Sequence, residues 1–232
     1  MTRTQRFESS WPFPDMGIPA AMVESRFESD VSTPADFAAM DVPLPDDLAE
    51  AVPMRRAAHL AGRICAREAL RQCGSAEMPV GRSPSGAPLW PKGCKGSITH
   101  AGRMAGAVAV ASAACRGIGL DFEAPMTEAA AAEISDLVLC SLDRETMGSM
   151  PALSFAESVT LVFSLKESLY KAISPLLGAF TGFEDAEIDD LEGGRARLRL
   201  RRKLSDDLPQ GLEIEGAYAL SPDLVRTLVV LR

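Results

Sequence analysis

The stretch FSLKESLYK, which runs from Phe163 to Lys171, combines apolar residues at helical spacing with a pair of opposite charges. Glu167 and Lys171 are four residues apart, so a helix places their carboxylate and ammonium groups side by side on one face. Lys166 projects from a different face. Taken alone, such a pattern is most often an exposed helix face, and a functional interpretation depends on the motifs that accompany it.

A second acidic motif, IGLDFE at residues 118–123, ends a run of small apolar residues. In a strand, Asp121 and Glu123 are two residues apart and project from the same face, while Phe122 points back into the core. Taken alone, this motif is most often a solvated strand end. Together with the charged helix pair it predicts a divalent-metal site for phosphate chemistry, because Mg²⁺ binds few carboxylates and keeps waters or phosphate oxygens in its other positions.

Two further segments complete an ordered set of motifs, LAGR at residues 60–63 and GAPLWPKGCKGSITH at residues 86–100. With the motifs at 118–123 and 163–172, they resemble the 4′-phosphopantetheinyl transferases, specifically the larger monomeric branch that includes the enterobactin and surfactin synthetase activators. The likeness is greatest to the enterobactin type and extends over roughly residues 50 to 190.

This resemblance implies an α+β fold, a pseudo-dimer of two similar α+β halves in one chain with the active site in the cleft between them. The N-terminal half, residues 1–117, is expected to hold an irregular arm, a coenzyme A-binding helix and a Thr-His loop. The C-terminal half, residues 118–232, is expected to hold the metal-binding strand and the helix with the Lys-Glu-x-x-x-Lys motif.

The resemblance also implies an enzyme activity: Mg²⁺-dependent transfer of the 4′-phosphopantetheine arm of coenzyme A to a serine of an apo acyl- or peptidyl-carrier protein, which releases 3′,5′-ADP. Such carriers serve fatty-acid, siderophore or nonribosomal peptide biosynthesis, and the motifs do not choose among them. Two alternatives remain open. One is another Mg²⁺-dependent enzyme that cleaves a pyrophosphate, and the other is a non-catalytic member that binds coenzyme A or a carrier.

Motif positions imply roles for individual residues of the C-terminal half. Asp121, Glu123 and Glu167 are the expected Mg²⁺ ligands, and Mn²⁺ accepts the same ligands. Glu167 is also the expected base towards the incoming serine, directly or through water. Lys171 is expected at the pyrophosphate oxygens, where a compact charge suits a phosphate. Lys166 is a further candidate for coenzyme A binding.

Contacts to coenzyme A are expected from the N-terminal half as well. Thr99 and His100 stand where the family meets the phosphates of coenzyme A, and His100 is included among the catalytic residues. Arg63 matches the family motif on a predicted helix and is expected at the 3′-phosphate and adenine end. Further candidates on the same helix face, with a solvated face as the alternative interpretation, are Arg56 and Arg67.

The sequence departs from the surfactin-type pattern at Ala87, where that branch has a lysine before the proline of the Gly-x-Pro block. One phosphate contact is therefore missing or moved. Arg82 and Lys92 lie on either side of the block, and the sequence does not choose between them as the replacement.

Composition agrees with this class of protein. The 232 residues carry 24 basic and 32 acidic side chains, a net charge of −8, and only 6% are aromatic, which argues against a nucleic-acid partner. No apolar run is long enough to span a bilayer, and no signal peptide is recognisable. We therefore expect a cytoplasmic monomer with no membrane partner. Five cysteines without a Cys-x-x-Cys pair argue against disulfides and zinc.

A basic segment, RARLRLRRK at residues 195–203, alternates charged and apolar side chains and predicts a strand. A solvated outer strand is the favoured interpretation, and a carrier-docking surface is the alternative.

The remaining predicted elements are an irregular arm over residues 1–45, a helix over 53–73 between Pro53 and Gly74, strands near 96–99 and 105–112, a helix over 128–140 capped by Thr127, a helix from Ser154 to Ile173 stopped by Pro175, and strands near 184–190, 195–202, 212–220 and 225–231.

Overall fold

The computed structural model divides into two compact units, each with its own sheet and core. Unit 1 is Met1–Trp11 with Pro19–Ala114, and unit 2 is Pro12–Ile18 with Cys115–Arg232. The structure describes residues 7–9, 11–30, 32–75, 80–84, 86–148, 150, 152–177 and 182–232. No helix in these ranges is both long enough and apolar enough to cross a membrane.

Unit 1 is a four-stranded antiparallel sheet covered by one long helix. Its elements are β1 (Phe7–Ser9), β2 (Ala21–Arg26), α1 (Pro34–Ala39), α2 (Asp46–Ala49), α3 (Pro53–Gln72), β3 (Gly81–Arg82), β4 (Pro88–Leu89), β5 (Cys94–Ala101) and β6 (Met104–Ala111). The sheet has the order β1-β2-β6-β5, while β3 and β4 form a separate small hairpin. The long helix α3 packs on β2, β5 and β6.

The limits of α3 follow from two residues that the sequence marks. Pro53 occupies the first helical turn, where its missing N–H costs no hydrogen bond. Gly74 follows the C-cap with a φ of 77°, a left-handed conformation that favours glycine. Midway along the helix, a Cβ on Gly62 would lie 2.8 Å from Ile98 Cγ2, so glycine lets α3 approach β5 closely. These contacts fix the face of α3 that meets the sheet.

Unit 2 is a five-stranded antiparallel sheet, also covered by one long helix. Its elements are β7 (Gly117–Glu123), α4 (Glu128–Val138), α5 (Ser141–Gly148), α6 (Phe155–Leu177), a 3₁₀ turn (Phe183–Asp185), β8 (Ala186–Glu192), β9 (Arg195–Leu200), β10 (Glu213–Ser221) and β11 (Leu224–Leu231). The sheet has the order β7-β11-β10-β9-β8.

Helix α6 lies directly against β7 because that strand carries glycine at its first and third positions. A Cβ on Gly117 would lie 2.2 Å from the Ala172 carbonyl oxygen, and a Cβ on Gly119 would lie 1.9 Å from that of Ser168. No side chain fits at either position. The close approach brings the last residues of β7 beside the middle of α6, where both acidic motifs lie.

The two units share one topology, which agrees with the expected pair of similar α+β halves. In unit 1 the order β2-α3-β5-β6 pairs the first strand with the last, and the last strand with the one before it. In unit 2 the order β7-α6-β10-β11 repeats this pairing, with β8 and β9 inserted after the helix. The α+β class is therefore confirmed, although the repeat is not visible in the letters of the sequence.

Several predicted elements are confirmed within a few residues, including the cap at Thr127, whose side chain accepts a hydrogen bond from Ala130 N. Two predictions are wrong. The arm is not irregular throughout, because β2 joins the main sheet. Four consecutive residues of β2 are buried, so the strand lacks the alternation that marks a half-buried strand. Pro175 does not stop α6, which continues to Leu177. A proline this near the end removes only one hydrogen bond of the helix.

Candidate functional site

The acidic motif of β7 and the charged pair of α6 form one cluster in unit 2. Lys171 Nζ donates to Asp121 Oδ1 at 2.6 Å and to the Leu120 carbonyl oxygen at 3.2 Å. The other oxygen of the same carboxylate, Oδ2, accepts from Ser164 Oγ at 2.7 Å. Asp121 is buried, whereas Glu123 and Glu167 are half-buried. The cluster is thus anchored at Asp121 and open towards the two glutamates.

The electrostatic environment of Glu123 and Glu167 favours a positive charge beside them. Burial, and then the negative charges of Asp121 and Glu167, raise the pKa of Glu123 to about 7, although Lys171 opposes the shift. Burial also raises the pKa of Glu167; Lys171 opposes this shift and Asp121 adds to it. A divalent cation would offset the neighbouring negative charges that raise the pKa values of Glu123 and Glu167, and carboxylate oxygens are the ligands that such a hard cation takes.

Among the described residues, no three side chains of the types His, Cys, Asp or Glu are placed so that together they could hold a metal ion. The two oxygens of Asp121 are engaged by Lys171 and Ser164. The expectation that a cation binds here therefore rests on two properties: carboxylate oxygens suit a hard cation, and neighbouring negative charge raises the pKa values of Glu123 and Glu167.

Lys166 has a different role from the predicted contact with coenzyme A. Its Nζ donates to Asp143 Oδ2 at 2.6 Å, to the Val138 carbonyl oxygen at 2.8 Å and to the Phe183 carbonyl oxygen at 3.1 Å. An ammonium group has three N–H bonds, and these three acceptors match them. We therefore correct the prediction for the ammonium group of Lys166, which ties α6 to the end of α4, to α5 and to the 3₁₀ turn in the interior of unit 2; the residue also lines the groove along α6.

A groove runs along α6 beside Glu167. Its walls come from α6, the 3₁₀ turn and the start of β8, and they include Tyr170, Ile173 and Phe183 together with Asp185. Asp185 accepts two hydrogen bonds from Arg202 and one from Gly182 N, which fixes that end of the groove. The groove offers apolar surface next to a carboxylate.

A cationic cavity lies in unit 1, between the N-terminal part of α3, the β3–β4 hairpin and β5. Its polar lining residues are Arg55, His59, Arg63, Arg82 and His100. Burial, and then the charges of Arg63 and Arg82, lower the pKa of His59 to about 4. Burial, and then Arg82, also lower the pKa of Arg63. Positive groups are therefore crowded together, an arrangement that an anion would stabilise.

Tertiary structure brings residues to this cavity that sequence reasoning missed. His59 has no motif of its own, and Arg55 stands one residue before the arginine that was predicted. Arg82 is one of the two alternatives for the phosphate contact that Ala87 cannot make. Its strand β3 pairs with β4, so that Arg82 stands opposite Pro88. Its guanidinium is held by both oxygens of Asp47, at 2.7 and 2.9 Å.

The predicted residues of unit 1 divide between this cavity and other positions. Arg63 and His100 line the cavity, and Arg63 Nη1 also donates to the carbonyl oxygens of Val80 (3.0 Å) and Gly81 (2.6 Å). Thr99 is buried and is not among the lining residues, because neighbouring strand residues face opposite sides.

The remaining two arginines support the backbone of the N-terminal region. Arg56 donates to the carbonyl oxygens of Ser32, Ala49 and Ala51, which makes it a structural residue rather than a coenzyme A ligand. Arg67 donates to the Met40 carbonyl oxygen at 2.7 Å and also lines a second, smaller cavity. That cavity shares His59, Arg63 and Arg82 with the first and has apolar walls, formed by Val42, Pro43, Pro45 and Val80.

The basic face of β9 is largely neutralised by acids on the neighbouring strands. Arg197 and Arg199 both pair with Asp189, and Arg199 also pairs with Glu213. Arg201, just beyond β9, pairs with Glu187. This pairing argues against a cationic docking surface. The prediction of an outer strand is wrong, because β9 lies between β10 and β8, although its arginine side chains alternate with buried residues as expected.

Two family models match the chain, and together they cover both units. The 4′-phosphopantetheinyl transferase N-terminal domain matches residues 44–110, and the 4′-phosphopantetheinyl transferase superfamily matches residues 117–221. The chain belongs to the 4′-phosphopantetheinyl transferase superfamily. Within this chain, the cationic cavity falls in the first match and the acidic cluster in the second.

Curated relatives agree with this membership. The chain is 36% identical to enterobactin synthase component D of Salmonella typhi over 159 residues, which is 68% of this chain and 65% of the relative. It is 32% identical to 4′-phosphopantetheinyl transferase PptT of Mycobacterium tuberculosis over 199 residues, 82% of this chain and 86% of that protein. The matched part thus spans slightly less than two thirds of the enterobactin-type relative and most of the mycobacterial one.

Proposed function

We propose that this protein transfers the 4′-phosphopantetheine arm of coenzyme A to a serine hydroxyl of an apo acyl- or peptidyl-carrier protein, in a Mg²⁺-dependent reaction that releases 3′,5′-ADP. The observation that carries the proposal is the contact of Lys171 Nζ with Asp121 Oδ1 beside two glutamates of raised pKa. Carboxylates and an ammonium group in this arrangement suit a pyrophosphate and its cation. Family membership supplies the class of reaction.

Asp121, Glu123 and Glu167 would hold Mg²⁺, and Mn²⁺ would use the same oxygens. When bound, the ion would withdraw negative charge from the two phosphates of coenzyme A. Lys171 would orient the pyrophosphate from the same face of α6. These groups sit on β7 and α6, whose backbones are in contact, so the site is built on rigid elements.

Glu167 would act as the general base. The serine oxygen of the carrier forms a bond to the β-phosphorus of coenzyme A, the bond from that phosphorus to 3′,5′-ADP breaks, and the serine proton passes to Glu167 directly or through one water. The adjoining groove, with Tyr170, Ile173 and Phe183, would accept the largely aliphatic pantetheine arm.

Unit 1 would bind the nucleotide end of coenzyme A. The 3′-phosphate matches the cavity with three arginines and two histidines, since charge-assisted hydrogen bonds to phosphate are strong. The smaller cavity, with proline and valine walls beside the same cations, would accept the adenine ring. We expect the protein to act as a cytoplasmic monomer.

Intact-mass spectrometry of apo acyl-carrier and apo peptidyl-carrier proteins tests this function. Each carrier is incubated with the protein, coenzyme A and Mg²⁺, with and without EDTA. A gain of the phosphopantetheine mass that EDTA abolishes, together with equimolar 3′,5′-ADP, supports the proposal, and the relative rates rank the carriers. Glu167→Gln should retain coenzyme A binding and lose the mass gain.

The same experiment separates the alternatives. Cleavage of coenzyme A without a mass gain on either carrier would indicate a different pyrophosphate-cleaving enzyme. Coenzyme A binding without any product would indicate a non-catalytic member. Failure to bind coenzyme A would refute both the proposed function and the assignment of the cavity in unit 1.

A further inference from the structure

Three buried hydroxyl groups stand behind Asp121, and no motif marked their role. Ser164 and Ser168 lie one turn apart on α6, and Thr227 lies on β11 directly opposite Asp121 in the strand register. All three residues are fully buried. Their oxygens are close together, with 2.9 Å from Ser164 Oγ to Thr227 Oγ1 and 2.7 Å from Ser168 Oγ to Thr227 Oγ1.

The carboxylate of Asp121 sets the direction of the hydrogen bond that it shares with Ser164. An ionised carboxylate can only accept hydrogen bonds, so Ser164 Oγ donates its single proton to Asp121 Oδ2, at 2.7 Å. Thr227 Oγ1 donates to the Ser164 carbonyl oxygen at 2.9 Å, and Ser168 Oγ donates to the Thr227 carbonyl oxygen at 3.0 Å. Backbone acceptors are thus available for the protons of Thr227 and Ser168. Of the three hydroxyl groups, Ser164 is the one that donates to Asp121.

The two oxygens of Asp121 consequently differ. Oδ2 is held on the buried side by Ser164, whereas Oδ1 is the oxygen beside Lys171, whose side chain is 26% exposed. We propose that Ser164, whose Oγ also contacts Thr227 Oγ1, is a positioning residue that restricts Asp121 to metal ligation through Oδ1 alone and thereby makes the site select Mg²⁺ or Mn²⁺ over Ca²⁺. This inference rests on the proposed function, which supplies the metal.

Coordination chemistry connects a fixed carboxylate with the choice of ion. Mg²⁺ demands near-octahedral geometry at short distances, while Ca²⁺ takes more oxygens and readily accepts a carboxylate through both of its oxygens. A carboxylate whose second oxygen is tied to a buried hydroxyl cannot turn to offer both. Loss of Ser164 Oγ would release Oδ2, which weakens the ordered geometry that Mg²⁺ or Mn²⁺ requires and opens the mode that Ca²⁺ uses.

Metal binding, rather than turnover, tests this directly. Mn²⁺ is titrated into the full-length protein with coenzyme A present, and the electron paramagnetic resonance signal of the unbound ion gives its affinity. Ca²⁺ is then added to displace half of the bound Mn²⁺. Ser164→Ala is compared with Ser168→Ala, which removes an equally buried hydroxyl of the same chain that does not touch Asp121. Thr227→Val removes the link between the two serines with little change of shape.

We expect Ser164→Ala to weaken Mn²⁺ binding about 10-fold or more, as is common when the hydrogen-bond partner of a metal ligand is removed. The Ca²⁺ to Mn²⁺ ratio needed for displacement should fall to a similar extent. Ser168→Ala should stay close to the parent protein, and Thr227→Val should lie between the two.

The outcomes separate this inference from the proposed function. If the parent protein binds Mn²⁺ but Ser164→Ala binds it equally well with the same displacement ratio, only the positioning role is refuted. Equal losses in Ser164→Ala and Ser168→Ala would also refute it, since they would show a general effect of a lost buried hydroxyl. A parent protein that binds no Mn²⁺ with coenzyme A present would refute both. Thermal unfolding of each variant confirms that the comparison is made on folded protein.

Discussion

Lys166 Nζ lies 2.6 Å from Asp143 Oδ2 in the interior of unit 2, and both side chains are almost completely shielded from solvent. Lys166 stands one residue before Glu167 in α6, and Asp143 lies in α5. Asp143 also accepts hydrogen bonds from the backbone N–H groups of Cys140 and Ile188, so its carboxylate organises the surrounding chain. Breaking such a pair leaves one charge buried without its partner.

Lys166→Met should therefore lower the free energy of unfolding by about 3–5 kcal/mol. Replacing both partners, as Lys166→Met with Asp143→Leu, should recover only part of this loss, because no buried charge remains but the N–H groups of Cys140 and Ile188 lose their acceptor. Urea denaturation measures both effects. Lys203→Met, at an exposed pair with Asp206, serves as the control and should change stability by less than about 1 kcal/mol. A Lys166→Met protein of normal stability but weak coenzyme A affinity would reinstate the ligand role that the structure argues against.

Gly119→Ala should destabilise unit 2 and abolish transfer together. Its Cβ would lie 1.9 Å from the Ser168 carbonyl oxygen, so β7 and α6 must separate, at a cost of about 1–3 kcal/mol or more. Gly148→Ala is the matched control, because nothing lies within 4 Å of the added carbon. Calorimetry and the carrier-modification assay check the two variants, and a stable, active Gly119→Ala protein would contradict the close approach of these backbones.

His59 should contribute a loss of stability as the pH is lowered from 7 to 5, whereas Glu123, whose pKa is raised from 4.5 to about 7 in the folded protein, acts in the opposite sense over the same window. The pKa of His59 is about 4 in the folded protein and 6.5 ordinarily, so within this window its unfolded state binds more protons. Protonation of His59 therefore favours unfolding, by about 1–2 kcal/mol after allowance for partial exposure of the ring. Urea midpoints at the two pH values measure the slope. His59→Gln should remove the His59 contribution, so that this variant loses less stability on acidification, or gains more, than the parent protein; the same slope in both would refute the assignment to His59.

Arg82→Ala should weaken coenzyme A binding by about 10- to 100-fold, as expected when a charge-assisted hydrogen bond to phosphate is removed. Binding of dephospho-coenzyme A, which lacks the 3′-phosphate, should change little. Isothermal titration calorimetry with both ligands makes the comparison, and Lys92→Ala is the control from the other side of the Gly-x-Pro block. A larger effect from Lys92→Ala would identify Lys92, rather than Arg82, as the cation that replaces the lysine absent at Ala87.

Local spacing was enough to predict the acidic cluster. Asp121 and Glu123 are two residues apart on a strand and share one face, and Glu167 and Lys171 are one helical turn apart. Both relationships can be predicted from the spacing alone, without the rest of the fold. The environment of Lys166 was not predictable in the same way. Most of α6 is buried on several sides. Lys166 therefore projects from a different face than Glu167 but still into the interior of unit 2.

The cationic cavity shows a different limit. Arg63 was recognisable from its motif, but Arg82 reaches the cavity through the pairing of β3 with β4, and His59 through the packing of α3. Both are long-range consequences of the fold that no spacing in the sequence records. Arg56 lies on the predicted arginine stripe, yet the carbonyl groups of residues 32, 49 and 51 engage it. The backbone acceptors of a loop could not be foreseen from the side chains.

The repeated order of strand, helix and two strands has an evolutionary consequence. Such a repeat is the expected trace of a gene duplication followed by fusion, after which each copy was free to diverge. In the present chain, arginines and histidines surround α3 of one unit, and acids lie on β7 and α6 of the other. Ancestral reconstruction should therefore lead back to a single β-α-β-β polypeptide.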